Sequence, residues 1–305
     1  MRRRPKQLDA EPTVFVPSAG TGGGVVLSAQ RSGRGARPPT ARPGSGAPVV
    51  TGDPARLLDV PGGAPPDPEA VRRAQQIAAR LAIPRPRRDT TGRRGTGELA
   101  SVRYRDGSDD IDLDATLDNL VEHPVPDDDD IIVRDRIRTR RSVVLAVDVS
   151  GSMRGERIRT AAATVGALAA ELARDDLAVL AFWSDAAILV PLGRPVPPAR
   201  VLDMLLRIPA RGLTNISFPL QLAREQLAAA PARDARVLLL SDCVHNAGPD
   251  PRAAAARLSR LDVLLDTSGE HDRELARDLA RIGHGRLATA ADHRAAGPAL
   301  SSLFL

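Results

Sequence analysis

Five oxygen-bearing side chains stand where an α/β sheet would gather them: Asp148, Ser150 and Ser152 in the run DVSGS, Thr214 in GLTN, and Asp242 in LLLSD. Two carboxylates and three hydroxyls, with no His or Cys among them, form a donor set for a hard cation such as Mg²⁺ or Mn²⁺. Two Asp nearly neutralise one divalent ion, and the neutral hydroxyls leave it electrophilic. Such an ion accepts one more carboxylate from a partner. Taken singly, a Ser-Gly-Ser after a strand is an ordinary turn, and a strand-end Asp can cap a helix. Five such residues in this order, each at an element's end, argue for a site.

Other chemistries lack their parts. Neither Ser150 nor Ser152 lies in Gly-x-Ser-x-Gly, and a phosphatase nucleophile at Asp148 would want an Asp where Ser150 stands. Lys6 is the single lysine, so no P-loop, kinase or Schiff-base lysine exists in the body of the chain. Cys243 is the only cysteine, which excludes an intramolecular disulfide and a cysteine zinc site. Next to Asp242, it reads as a small buried residue at a strand end. The five histidines show no ligand spacing, and His245 reads as a loop residue. Asp110, Asp112 and Asp114 imitate a calcium loop, but Ala115 replaces the required Gly and Val121 the bidentate Glu. GTGGG at 20–24 imitates a dinucleotide loop without a preceding strand or a following helix.

The elements that must position the five residues begin near 131, where apolar runs alternate with helical patterns. That alternation predicts a doubly wound, mostly parallel sheet flanked by helices. Strands are expected at 143–149, 177–183, 186–192, 236–242, 261–267 and 286–290, and the Ser184-Asp185 turn favours a hairpin between the second and third. Helices are expected at 156–173, 198–208, 217–229, 250–260 and 271–282, with a last one ending near Phe304. In such sheets ligands bind beyond the carboxyl ends of the strands.

Upstream, residues 69–82 predict a helix opened by Asp67-Pro68 and closed by Pro84, and 112–122 a second with Leu113, Leu117, Leu120 and Val121 on one face. Residues 1–67, rich in Gly and Pro, predict a disordered basic tail, 68–130 a short helical region with an acidic linker, and 131–305 the folded domain. The net charge is +6 over 1–50, −3 over 51–140 and +2 over 141–305, so the basic balance belongs to the tail. A near-neutral body with 2% aromatics is not the face of a specific nucleic-acid binder. No apolar run exceeds the seven residues from Leu177 to Trp183, against about 20 for a membrane span. The basic N-terminus lacks the apolar stretch of a signal peptide, so a cytoplasmic protein is expected.

DVSGSM, the Thr of GLTN and LLLSD together resemble the von Willebrand factor A domain and its metal-ion-dependent adhesion site, whose pattern is Asp-x-Ser-x-Ser, then Thr, then Asp. The resemblance covers about residues 131–305. It implies that Ser150, Ser152 and Thr214 contact the metal through hydroxyls, that Asp148 and Asp242 bind it directly or through water, and that an acidic partner residue completes the octahedron. DIIVRDRIRTRR and DDLAVLAFWSDAAILVPLGRPVPPARVLDML are similar to the A module of magnesium and cobalt chelatase D-type subunits and of proteins working with MoxR-type AAA+ ATPases. The usual ATPase-like module of a chelatase D subunit is missing, and Gly-Gly-Thr-Pro is Gly-Leu-Thr-Asn here. The resemblance thus implies a non-enzymatic adaptor presenting a Mg²⁺ site to an AAA+ ATPase or its client, with a chelatase-type subunit as the alternative.

Overall fold

The computed structural model describes residues 5–8, 11–19, 25–29, 56–60, 67–81, 83, 98–104, 110–122, 127, 130–137, 141–153, 155–173, 175–208, 212–230, 232 and 234–305. By contacts it divides into two units, 1–83 with 141–305, and 84–140.

The larger unit is built on a nine-stranded sheet. Its strands are β1 (Val14–Ala19), β2 (Val25–Ala29), β3 (Arg56–Val60), β6 (Ser142–Asp148), β7 (Asp176–Phe182), β8 (Ala186–Val190), β9 (Ala235–Ser241), β10 (Leu261–Asp266) and β11 (His284–Ala290). The smaller unit holds β4 (Glu98–Arg103) and β5 (Ile132–Ile137). The order across the large sheet is β11-β10-β9-β6-β7-β8-β1-β2-β3. From β11 to β7 every pair is parallel. β7 and β8 form the expected antiparallel hairpin.

β6 shows why the sheet is covered on both faces. All seven of its residues are buried, and with period 2 its side chains divide between two cores. Val143, Leu145 and Val147 join one core with residues of α1 (Pro68–Ala78), α3 (Glu156–Glu171), α4 (Pro198–Arg207) and α8 (His293–Phe304). Val144 and Ala146 join the other with α5 (Ser217–Gln226), α6 (Arg252–Ala255) and α7 (Arg273–Ile282). Fully burying a Val or Leu side chain is worth about 1.5–3 kcal/mol, so this strand anchors both layers. α6 is shorter than the expected 250–260 helix. There Arg257 and Leu258 donate to the carbonyls three residues back, which tightens the chain into turns.

Connections leave β6 and β9 in opposite directions. β6 passes through α3 to β7 on one side, and β9 passes through α6 to β10 on the other. The carboxyl ends of these two neighbouring strands are the topological switch point of the sheet, where a crevice opens.

The N-terminal part differs from expectation in two ways. Three strands lie within the stretch read as structureless. β1 pairs parallel with β8, and β2 and β3 extend the sheet antiparallel. Phe15 and Leu27 supply the buried side chains, and Phe15 stacks on Trp183. Short apolar triplets that mean little alone acquire burial from a sheet edge that needs covering. The GTGGG segment lies outside the described residues. α1, capped by Asp67 and started by Pro68, also belongs to the large unit. Its Ala70 and Ile77 are buried in the core shared with α3 and α8. A Cβ on Gly297 of α8 would come within 3.0 Å of the Ile77 carbonyl, so the two helices approach too closely at that point for any side chain.

In the smaller unit β4 and β5 pair antiparallel from Glu98↔Ile137 to Arg103↔Ile132, so residues 131–137 group with the upstream segment and not with the sheet. α2 (Leu113–Glu122) follows Asp112, which accepts from Arg134 and the Ala115 N–H. That role at the start of the helix accounts for Asp112, the middle residue of the acidic triplet. The apolar face of this helix is exposed at Leu113 (68%), Leu117 (60%) and Val121 (85%).

At the amino-terminal end of the sheet, Asp262 is fully buried. It holds Arg236 (3.1 Å) and Arg260 (3.0 Å) and accepts from the Arg286 N–H (2.8 Å). Arg236 also lies 4.4 Å over the Phe304 ring, and burial brings its pKa down to about 10. Asp262→Ala strands this partly buried guanidinium and should cost about 3–5 kcal/mol. Chemical denaturation measures the loss, and a cost below about 1 kcal/mol would show that the cluster carries little of the stability.

Candidate metal centre

β6 delivers Asp148 to the switch point and β9 delivers Asp242 just beyond its end. Both side chains are fully excluded from solvent. Asp148 Oδ1 accepts the Ser150 N–H (2.9 Å), an Asx turn that bends the chain back over the strand end. Asp148 Oδ2 accepts the Ser241 hydroxyl (2.6 Å). Ser150 Oγ and Ser152 Oγ are 3.2 Å apart, and Ser152 Oγ donates to Asp242 Oδ2 (2.8 Å). One chain of hydrogen bonds therefore runs through Ser150, Ser152 and Asp242.

Asp242 is aimed by its own turn. Its Oδ1 accepts the Val244 N–H (3.0 Å), and its carbonyl accepts the Asp272 N–H (2.9 Å). Cys243, next in sequence, adopts φ 58°, a left-handed conformation that non-glycine residues seldom take. Its N–H donates to Ser241 Oγ (2.9 Å). The thiol is completely buried, and burial first, then the neighbouring carboxylates, push its pKa well above the ordinary value. It is a packing residue, as its position suggested.

Thr214 reaches the same place on a third loop. The Gly151 N–H donates to the Gly212 carbonyl (3.3 Å), joining the two loops. Gly212 has φ 78°, and a Cβ there would press on Trp183 at 3.1 Å. The Thr214 N–H donates to Asn246 Oδ1 (2.7 Å), and its carbonyl accepts the Asn246 and Ala247 N–H groups (both 3.2 Å). With its backbone held at both groups, Thr214 lines, together with Gly151, Ser152, Gly212 and Asp242, a groove of about 1090 Å³. The structure thus brings all five expected residues to one end of the sheet. Among the described residues no three His, Cys, Asp or Glu side chains cluster as metal ligands. His245 is turned inward, with Nδ1 facing the Ile216 N–H at 3.3 Å, and burial lowers its pKa.

Three participants escaped the sequence reading. Ser241 supplies a hydroxyl to Asp148, and only its place before Asp242 hinted at it. Asn246 braces Thr214 from 32 residues away. Arg157, at the second position of α3, donates through Nη1 to the Ser152 carbonyl (3.0 Å) and to Asp242 Oδ2 (3.3 Å). Its Nε donates to Ser268 Oγ (3.0 Å) and lies 3.3 Å from Asp266, and its Nη2 donates to the Glu270 carbonyl (3.3 Å). In sequence it is one arginine among many.

The electrostatics follow from burial. Desolvation first, then the charge of Asp242, raises the pKa of Asp148 to about 6, against the pull of hydrogen bonds from Ser150 and Ser241. Among the described residues Asp148 has no ion-pair partner. A carboxylate in that position is held at a cost, which a cation would offset.

The von Willebrand factor type A domain family matches residues 143–245, the span holding all five residues. No curated protein gives a significant match. Solved structures similar to this chain include a von Willebrand factor type A protein from Catenulispora acidiphila, 19% identical over 57% of this chain and 43% of that one, TM-score 0.46. A second is proximal thread matrix protein 1 from the mussel byssus with a zinc-occupied MIDAS motif, 16% identical over 54% and 47%, TM-score 0.46. A third is the conserved hypothetical protein BatB from Bacteroides thetaiotaomicron, 20% identical over 52% and 95%, TM-score 0.41.

The raised pKa of Asp148 sets the sign of a stability change. In chelator, the folded state binds more protons than the unfolded state between about pH 4 and 6, so this group's penalty is largest above pH 6 and vanishes towards pH 4. Asp148→Asn should therefore stabilise the chelated protein by about 1–3 kcal/mol at pH 7.5. The gain should shrink at pH 5, as followed by urea denaturation. A variant less stable than wild type at pH 7.5 would contradict the assignment of the penalty to this carboxylate.

Proposed function

We propose that the von Willebrand factor type A domain of this chain is a non-catalytic, metal-dependent protein-interaction module. Ser150, Ser152 and Thr214 hold a Mg²⁺ or Mn²⁺ ion through their hydroxyls, and Asp148 and Asp242 bind it directly or through water. The carrying observation is the pair of fully buried carboxylates at one strand edge with hydroxyls between them. The donors fit a hard divalent cation, because every one of them is oxygen and two carry charge. A bound ion supplies an electrophilic position that takes a carboxylate from an acidic partner residue.

The chain's own groups do the rest. Asp148, fixed by Ser150 and Ser241, holds the β6 loop at the strand end. The Gly151–Gly212 bond ties the loop that carries Thr214 to the loop that carries the two serines. The groove beyond carries His245, Asp250, Arg252, Glu270 and Arg273, a mixed-charge wall suited to a protein surface. Among the described residues the carboxylate that accepts from Ser152 is Asp242, which is buried and also engaged by Arg157, and His245 faces a backbone N–H. That supports binding over hydrolysis. The partner we propose is a MoxR-type AAA+ ATPase or its client, with the module acting in the cytoplasm. No described helix is long and apolar enough to cross a membrane.

Calorimetry with Mg²⁺ should show binding that Asp242→Ala abolishes. Because Asp148 must release its proton, affinity should fall about tenfold from pH 7 to pH 5. Pull-down with a co-expressed MoxR-type ATPase should fail for the Ser150→Ala/Ser152→Ala double variant while its circular dichroism stays that of wild type. EDTA should reproduce the failure in wild type, with rescue by excess Mg²⁺. Mg²⁺ binding that survives Asp242→Ala would move the metal elsewhere, and an unimpaired double variant would disprove recognition through the metal.

A further inference from the structure

Among the described residues Arg157 is the cation bonded to the candidate metal centre. Its guanidinium is only 15% exposed and engages three separate segments around the site. It holds the β6–α3 loop through the Ser152 carbonyl, the end of β9 through Asp242 Oδ2, and the end of β10 with the loop after it through Asp266, Ser268 and the Glu270 carbonyl. The fit is close: a Cβ on Gly269 would come within 2.7 Å of Nη2. The same β10–α7 loop contributes Glu270, His271 and Asp272 to the wall of the groove that Asp242 and Thr214 line. On its other side Arg157 lines a second cavity, of about 160 Å³, with Met153, Asp266 and Ser268. The Arg157–Asp242 pair stands between the two spaces.

We infer that Arg157 is a positioning residue that couples occupancy of the metal site to the placement of the β10–α7 loop. This rests on the metal-binding reading above and extends it from the ion to the groove wall. Asp242 Oδ2 accepts from both Ser152 and Arg157. A divalent ion drawing on Ser152 Oγ and Asp242 competes for those lone pairs, and its charge repels a guanidinium that solvent screens poorly. Arg157 therefore gives up Asp242 when the ion arrives. With that contact gone, its hold on Ser268 and the Glu270 carbonyl loosens, because one rigid fork makes all of these bonds. The coupling is reciprocal: whatever weakens the Arg157 contact tightens metal binding, and metal binding frees the loop that an incoming partner meets.

Two variants separate charge from bridging. Arg157→Met keeps the apolar stem and removes the cation. Arg157→Lys keeps the cation but cannot span Ser152, Asp242 and Glu270 together. The full chain is titrated calorimetrically with MgCl₂, and backbone hydrogen exchange over residues 266–272 is followed with and without the metal. Arg157→Met should bind Mg²⁺ about tenfold more tightly than wild type, and its 266–272 segment should exchange fast already in EDTA. Arg157→Lys should bind Mg²⁺ within about threefold of wild type, yet exchange faster than wild type in EDTA. In wild type, saturating Mg²⁺ should raise exchange over 266–272. Equal or weaker Mg²⁺ affinity in Arg157→Met, or wild-type exchange that is unchanged or slowed by Mg²⁺, overturns the inference while leaving the metal site standing. Absence of Mg²⁺ binding in wild type and both variants overturns the metal reading and the inference with it.

Discussion

Two carboxylates share one dry sheet edge, and the arrangement around them follows from that difficulty. Asp148 and Asp242 end adjacent parallel strands at zero exposure. Like charges so placed repel strongly in a medium that screens little. The protein answers with donors: the Ser150 N–H and Ser241 hydroxyl for Asp148, the Ser152 hydroxyl, Val244 N–H and Arg157 for Asp242. These partners come from the end of β9, the start of α3 and the loops that the switch point opens to either side. The groove, the tight glycine at 212 and the left-handed turn at Cys243 all serve to hold those loops in register.

The opposite end of the sheet solves a related problem in the opposite way. Asp262 is as deeply buried as Asp148, but arginines surround it and an aromatic ring covers one of them. Charge there is matched within the chain, so that end acts as a clamp for α8 and β11. At the switch point the match is incomplete, since Asp242 shares one guanidinium with Asp266 and Asp148 has none among the described residues. One sheet thus separates a settled end from a reactive one.

From β6 onward the architecture was legible because apolar runs with β-branched residues, helical periods and Asp or Pro starts all agreed. That the five candidate residues would meet at one end of the sheet was legible for a related reason: Asp148 ends β6 and Asp242 follows β9, strands whose patterns are clear. Other features resist such reading. Phe15 and Leu27 are single large residues in Gly- and Pro-rich surroundings, and only the uncovered side of β8 makes strands of their neighbours. The Leu113, Leu117 and Val121 stripe has helical spacing, but periodicity reports a face and not what covers it. Arg157 shares its residue type with most of the chain's cations, and nothing local marks the one that reaches Asp242. Ser241 and Asn246 act through contacts across 93 and 32 residues, distances at which a single sequence carries no pairing signal.

The short parallel bridge between Lys6 and Ala247 has a practical meaning for chemistry on this molecule. Lys6 donates its N–H to the Asn246 carbonyl (2.8 Å) and accepts the Gly248 N–H (3.1 Å), while its side chain stays exposed. Asn246 is the residue that braces Thr214. The chain contains no other lysine and one cysteine, which is sealed in the core. Thiol reagents are therefore blind to the native fold, whereas an amine-directed fluorophore has, besides the α-amino group, one side chain to react with, next to Pro5 of the groove wall. With the α-amine blocked first near neutral pH, the composition leaves one addressable side chain beside the candidate metal centre, where a reporter can register events in the groove without a substitution.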